Sequence, residues 1–231
     1  MANASEIKVI SSQAIKEAYL AFAPEFERVS GHKLNTTWNG TNDILKKLRA
    51  GENFDMVILV TPSMETMIKE GKVVAGSRVD LARSGIGIAV RKGAPRPDIG
   101  SPDALKRALT AAKSVAHSRT GMSGIYFPTV LARLGIADEM QSKIVTPDPG
   151  TPVGEVVARG EAEIGVQQIS ELLPVAGIEI VGPLPASLQK ITTFSAGVLA
   201  AAKEPDAARA LVKFVAGASR PLLADKGLEP A

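Results

Sequence analysis

The sequence predicts an α/β fold of two lobes, each a mainly parallel sheet flanked by helices. Three observations predict it. Short apolar runs alternate with amphipathic helical patterns along the chain, which favours parallel strands joined by right-handed crossovers. Small polar turns follow directly after several of those runs, where α/β proteins hold their ligands. Two strand-like stretches, at about 81–90 and 192–199, read as connections between lobes. The expected division is a discontinuous first lobe, residues 1–84 with 195–231, and a second lobe, residues 85–194, with a ligand cleft between them.

The first strand is 7–11, followed by Ser12, Gln13 and a helical pattern with Ile15, Ala18, Tyr19, Phe22, Phe26 and Val29 on one face. Those spacings of three and four mark a buried stripe. Pro24 kinks this run or begins a second segment, and Gly31 ends it as a C-cap. A second strand covers 34–38, with Trp38 leaning to the core. Asn39-Gly40-Thr41-Asn42 is a turn in which Thr41 or Asn42 caps the next helix, carrying Ile44, Leu45 and Leu48. Residues 54–60 are continuously apolar, as in a parallel strand covered on both faces. Thr61-Pro62 then opens a helix with proline at its first position. Further on come a helix from Ser101-Pro102, a strand at 143–145, a proline-rich loop 147–152, and a helix with Val153, Val156 and Val157. A strand at 163–166 leads to Gln167-Gln168 and a short helix capped by Ser170. Strands at 178–181 and 192–202 and helices at 206–215 and 221–224 complete the chain.

The stretch 114–126 carries the most chemistry. It reads as the end of a buried strand, then a loop with His117, Ser118, Arg119, Thr120, Gly121 and Ser123, then a helix start near Ser123. Strand, small polar loop and helix N-terminus form an anion site, because first-turn N–H groups are unpaired and the helix dipole is positive there. Arg119 adds a planar fork suited to a carboxylate. His117 titrates near neutrality and reads either as a structural histidine bonded to a neighbouring loop or as a proton-transfer group. If the loop is extended, His117 and Arg119 point to the same side. His32, after a helix C-cap, reads as a surface residue. Thr41 and Ser12 serve equally as helix caps and as ligand donors, since both uses draw on the same helix end.

Composition narrows the function classes. The 231 residues are 45% hydrophobic, enough for a large core. Basic and acidic residues number 27 and 24 and are scattered, and aromatics make up 4%, so no nucleic-acid face is expected. The absence of cysteine removes thiol catalysis, zinc–cysteine sites and disulfides. No apolar run reaches the roughly 18 residues of a membrane span. Ala2-Asn3-Ala4 is the small-residue pattern that precedes a signal-peptidase cut, and reads either as the trace of a removed export signal or as a short polar tail.

Several stretches in order carry a resemblance: Val9-Ile10-Ser11-Ser12-Gln13-Ala14-Ile15, Trp38-Asn39-Gly40-Thr41, Phe54-Asp55-Met56-Val57-Ile58, Leu134-Gly135, Val157-Ala158-Arg159-Gly160-Glu161-Ala162 and Lys226-Gly227-Leu228-Glu229-Pro230. From about Ile7 to Pro230 the chain resembles type II periplasmic solute-binding proteins, in their molybdate-binding branch. The resemblance implies a two-lobed periplasmic-binding-protein type II fold, a periplasmic location, a monomer and an ABC-type permease as partner. In that branch two serines, second-lobe amides and a tyrosine hold the oxyanion. Here those positions fall at Ala14, Thr41 and near Gln168, and Arg119 adds a full charge to a site otherwise made of neutral donors. The expected ligand is therefore a small organic polycarboxylate rather than molybdate.

The branch is also similar to the periplasmic aconitate isomerases, which shift a double bond between trans- and cis-aconitate by allylic proton transfer. That chemistry needs carboxylate anchors and one proton-carrying group, but no metal or cofactor. The ligand-binding set expected from both readings is Ser12, Gln13, Asn39, Thr41, Ser118, Arg119, Thr120, Ser123, Thr151, Val153 and Gln168, with His117 as base in the isomerase case.

Overall fold

The computed structural model describes residues 4–217 and 220–231. The small-residue pattern at the N-terminus lies partly outside the described residues. The chain divides into two compact units, Met1–Arg83 with Thr192–Ala231, and Ser84–Ile191.

The first unit contains β1 (Glu6–Ser12), α1 (Lys16–Ser30), β2 (Lys33–Asn39), α2 (Thr41–Arg49), β3 (Met56–Val60), α3 (Thr61–Lys69) and β4 (Val79–Ser84). The second unit contains β5 (Ile86–Arg91), α4 (Pro102–Ala111), β6 (Val115–His117), α5 (Met122–Arg133), α6 (Ala137–Met140), β7 (Ile144–Val145), α7 (Val153–Ala158), β8 (Ile164–Gln168), α8 (Ile169–Leu172) and β9 (Ile178–Pro183). The chain then returns to the first unit with β10 (Thr192–Val198), α9 (Pro205–Ala216), α10 (Arg220–Asp225) and β11 (Glu229–Pro230).

Both sheets are mixed rather than mainly parallel. The first runs β11-β4-β10-β3-β1-β2, with β1, β2 and β3 parallel and β10 antiparallel to β3. The second runs β7-β6-β8-β5-β9, with β6, β7 and β8 parallel and β5 antiparallel to both neighbours. The stretch 81–90 is two strands, β4 and β5, separated at Gly85. Sequence pattern alone does not show that the two halves join different sheets.

In the first unit Ile10, Val57 and Leu59 pack on Ile44, Leu48, Met64 and Met67 of α2 and α3. α1 supplies an aromatic patch in which Phe26 and Phe22 meet Phe214 of α9, and Tyr19 meets Trp38 edge-on at 5.2 Å. Pro24 sits within α1, which continues through it. Val29 falls off the expected face and is 55% exposed. His32 is half-buried rather than on the surface, stacked on Phe26 and accepting from Ser5 N at 3.2 Å.

Alternation along β6 and β8 sets the two faces of the second sheet. Val115, Ile164 and Val166 join the cluster of Phe127, Val130 and Leu131 on α5. Ala116 faces Val153, Val156 and Val157 of α7. Gly165 lets α7 lie close on the strand: a Cβ there would meet Val157 Cγ2 at 2.8 Å. Burial of each such large apolar side chain contributes about 1.5–3 kcal/mol.

Candidate functional site

In each unit the polar residues collect at the carboxyl ends of three parallel strands. In the first unit Ser12 pairs with Asn39 in register, ending β1 and β2 together. Gln13 opens a short 3-10 turn, and Thr41 is the first residue of α2. Ser12 and Thr41 are buried, and Gln13 and Asn39 half-buried. The expected cap on α2 is absent. Its N-cap is Gly40, and neither Thr41 nor Asn42 caps it by side chain. The nine-residue helix therefore presents its first-turn amides uncapped. Asn39 Oδ1 is buried without a partner among the described residues. A half-turn of this amide offers an NH2 donor at the same place.

In the second unit, β6, β7 and β8 end in the loops 118–121, 146–152 and the turn into α8. His117 pairs with Val166 in register, so the 118–121 loop and the Gln167–Gln168 end leave adjacent strands at one edge. The loop is bent, not extended, at Arg119 and Thr120. His117 and Arg119 consequently have opposite environments. His117 is the last residue of β6, buried against the Phe127 ring at 5.4 Å, with Nδ1 2.8 Å from Ser118 O. Burial pushes its pKa down, and the Ser118 carbonyl opposes this only in part. A neutral ring donating from Nδ1 leaves Nε2 as an acceptor. Arg119 is exposed, its Nη2 3.4 Å from Thr146 Oγ1.

The N-terminus of α5 is the most distinctive feature. This 12-residue helix has Gly121 as N-cap and no side-chain cap, whereas Ser101 Oγ caps α4 by accepting from Ala104 N at 3.1 Å. The hydroxyls of Ser118 and Ser123 are both buried and have no partner among the described residues. Ser123 is wholly buried, while Ser118 and Thr120 are half-buried as residues. Gly121 and Gly124 make the arrangement possible, because a Cβ on them would meet Ser118 Oγ at 2.8 and 2.7 Å. Donor hydroxyls without partners, at the positive end of a helix without a cap, suit an anion.

The other expected residues are placed differently. Thr151 is half-buried in the turn before α7, its N–H bonded to Asp148 O at 3.0 Å. The Val153 amide, expected as a ligand donor, is taken by Gln167 Oε1 at 3.1 Å. Gln168 is buried at the end of β8, whose alternation sends it to the α5 face, opposite Gln167. The expected ligand set includes Gln168 but neither Gln167 nor Glu171. Gln167 Nε2 donates to Glu171 Oε2 at 2.6 Å. Part of Glu171 reaches solvent, yet protein crowds it closely enough that burial pushes its carboxyl up to about 7. The signal was present in Gln167-Gln168-Ile169-Ser170-Glu171, a Gln/Glu pair four apart directly after a strand.

Two α/β units with polar loops and uncapped helix ends at the carboxyl ends of parallel strands make up the architecture of solute-binding proteins. The chain belongs to the bacterial extracellular solute-binding protein family, which it matches over residues 7–229. Among its relatives is the aconitate isomerase of Pseudomonas sp, 38% identical over 231 residues, covering 97% of this chain and 87% of that protein. The molybdate-binding protein ModA of Azotobacter vinelandii is 27% identical over 223 residues, covering 94% and 86%. In structure the chain resembles the periplasmic molybdate-binding protein of Azotobacter vinelandii, with TM-score 0.80, 18% identity and coverage of 97% and 99%. It also resembles the sulfate-binding protein SubI from Mycobacterium tuberculosis H37Rv, with TM-score 0.79, 18% identity and coverage of 98% and 87%. The structural likenesses establish the periplasmic-binding-protein type II fold. Among the described residues no helix is long and apolar enough to cross a membrane.

Proposed function

We propose that this chain is the periplasmic substrate-binding component of an ABC-type transporter and takes up a small organic anion carrying more than one carboxylate. The supporting observation is the α5 N-terminus, uncapped and flanked by the unpartnered hydroxyls of Ser118 and Ser123. Thr120, Thr151 and Gln168 contribute further polar groups from the same unit, and Ser12, Gln13, Asn39 and Thr41 do so from the other. Arg119, exposed on the loop, favours a carboxylate ligand. Buried Ala14 offers no hydroxyl where the molybdate binders have a serine. In this reading the protein acts as a monomer and, once loaded, docks on a permease. A thermal-shift screen of molybdate, tungstate and sulfate against di- and tricarboxylates tests it. Ligand at 100 times its Kd adds about 2.7 kcal/mol of stability. Stabilisation by metal oxyanions alone overturns the carboxylate assignment.

A second reading, isomerisation of aconitate, is favoured by the relative of that name at 38% identity over nearly the whole chain. It predicts interconversion of cis- and trans-aconitate in a proton-NMR time course without added metal or cofactor. Absence of turnover of either isomer rejects it.

A further inference from the structure

The second unit has a cavity of about 500 Å³ at the end of its sheet away from the polar loops. β8 begins at Ile164 and reaches those loops only past Gln168, and the cavity lies at the Ile164 end. Val90 and Ile164, paired in register on antiparallel β5 and β8, both line it. Ala108 and Ala112 from the end of α4, and Ala94 and Pro97 from the loop after β5, form its walls. These short side chains leave open the space that larger ones would fill. The size is within the roughly 300–1,000 Å³ of small-molecule sites.

Two opposite charges line this cavity without meeting. Arg91 follows Val90 and Glu163 precedes Ile164, so the two are neighbours across β5 and β8. Opposite charges so placed ordinarily attract each other into a pair. Here neither is in an ion pair, and Arg91 has no hydrogen-bond partner among the described residues. The Arg91 guanidinium lies beside Gly160, where a Cβ would meet its Nη1 at 3.2 Å. Glu163 Oε2 accepts from Lys113 N at 2.8 Å, and its Oε1 has no partner among the described residues. The other carboxylates close to Arg91 are occupied, Glu161 by Arg159 and Glu179 by Arg96. Arg91 and Glu163 are both exposed, so each can take a partner without rearrangement of the core.

We propose that this cavity is a second ligand site, which binds an apolar α-amino acid. The carboxylate of the ligand meets Arg91, its ammonium meets Glu163 Oε1, and its side chain enters the space over Val90 and Ile164. A cation and an anion beside an apolar hollow match a zwitterion with a hydrocarbon side chain. A polycarboxylate would leave Glu163 opposed by like charge, and a plain hydrocarbon would leave both charges unanswered. The proposal does not depend on the carboxylate reading of the α5 end.

The test titrates leucine into the full chain by calorimetry, beside leucinamide, which lacks the carboxylate, and isocaproate, which lacks the ammonium. Leucine is expected to bind about tenfold more tightly than either analogue, since each has lost one charge-assisted contact. Arg91→Gln should weaken leucine about tenfold and leave leucinamide unchanged. Glu163→Gln should weaken leucine by a similar factor and leave isocaproate unchanged, and glutamine there keeps an oxygen for Lys113 N. A second measurement needs no variant: in proton–carbon NMR, leucine should shift the methyl signals of Ala108 and Ala112. Failure of leucine to bind, equal binding of the three compounds, or leucine binding untouched by both substitutions overturns the proposal. Unmoved alanine methyl signals under saturating leucine overturn it as well.

Discussion

Gly124, in the first turn of α5, lies directly against the Ser118 carbonyl, with no room between them for a methyl group. A Cβ on Gly124 would meet Ser118 Oγ at 2.7 Å and the backbone carbonyl closer still. Neither obstacle is the far end of a flexible chain, so the loop itself would have to move. Gly124 is in ordinary helical backbone, so its role is close approach rather than unusual φ.

Gly124→Ala should therefore displace the 118–121 loop from the helix end. The expected cost is about 1–3 kcal/mol of stability, the range for overpacking, together with loss of anion binding. Urea unfolding and a binding titration check this. A variant as stable as the wild type, with unchanged Kd, would mean that the loop has slack that the geometry does not show.

Ser123→Ala separates the two consequences of an unpartnered hydroxyl. Ser123 Oγ is buried, with no partner among the described residues. Removing it relieves an unsatisfied polar group, so the free protein should be as stable as the wild type or about 1 kcal/mol more so. Binding should weaken by about 1–3 kcal/mol if the hydroxyl donates to the anion. Thermal unfolding and titration of the same sample decide. Destabilisation of the free protein would show that Ser123 already has a partner, such as a bound water.

The succession of strands and helices and most helix faces were legible, because alternating apolar runs and spacings of three and four follow directly from burial. Small polar residues after a strand mark the strand ends near Ser12, Asn39 and His117, each of which ends a strand in the structure. Three things were not legible. The break at Gly85 depends on which sheet each half joins. The fate of the Val153 amide depends on a side chain 14 residues away, Gln167. The opposed environments of His117 and Arg119 arise because β6 extends one residue further than expected and the chain then bends. Each is decided by tertiary packing, to which local pattern is blind.

Two titrating groups, buried His117 and partly buried Glu171, should act on stability in opposite directions. Glu171 has its folded pKa raised from 4.5 to about 7. Its contribution is therefore fully present below about 4.5 and lost as pH rises through 7. His117 has its folded pKa lowered from 6.5, so its contribution is present above that value and lost as pH falls below it. Glu171→Gln should stabilise the protein by roughly 1–3 kcal/mol at pH 8, discounted for partial exposure, and by much less at pH 5. His117→Asn should flatten the fall in stability below pH 6.5. Unfolding free energies at pH 5, 6.5 and 8 for the three proteins test both signs. An equal effect of Glu171→Gln at pH 5 and pH 8 would refute a raised carboxyl.

Arg119 tests how much of the anion's attraction comes from the rim. Its guanidinium is exposed and held only at 3.4 Å by Thr146 Oγ1, so in the free protein it resembles a rim charge rather than a buried anchor. Such charges act chiefly on encounter rate and are screened by salt. Arg119→Ala should weaken binding about tenfold at low salt, mostly through the association rate, with a smaller gap at higher ionic strength. Stopped-flow association rates at two salt concentrations separate the cases. A loss of 2–5 kcal/mol in the dissociation rate, insensitive to salt, would instead show that the ligand draws Arg119 out of water into a desolvated pair.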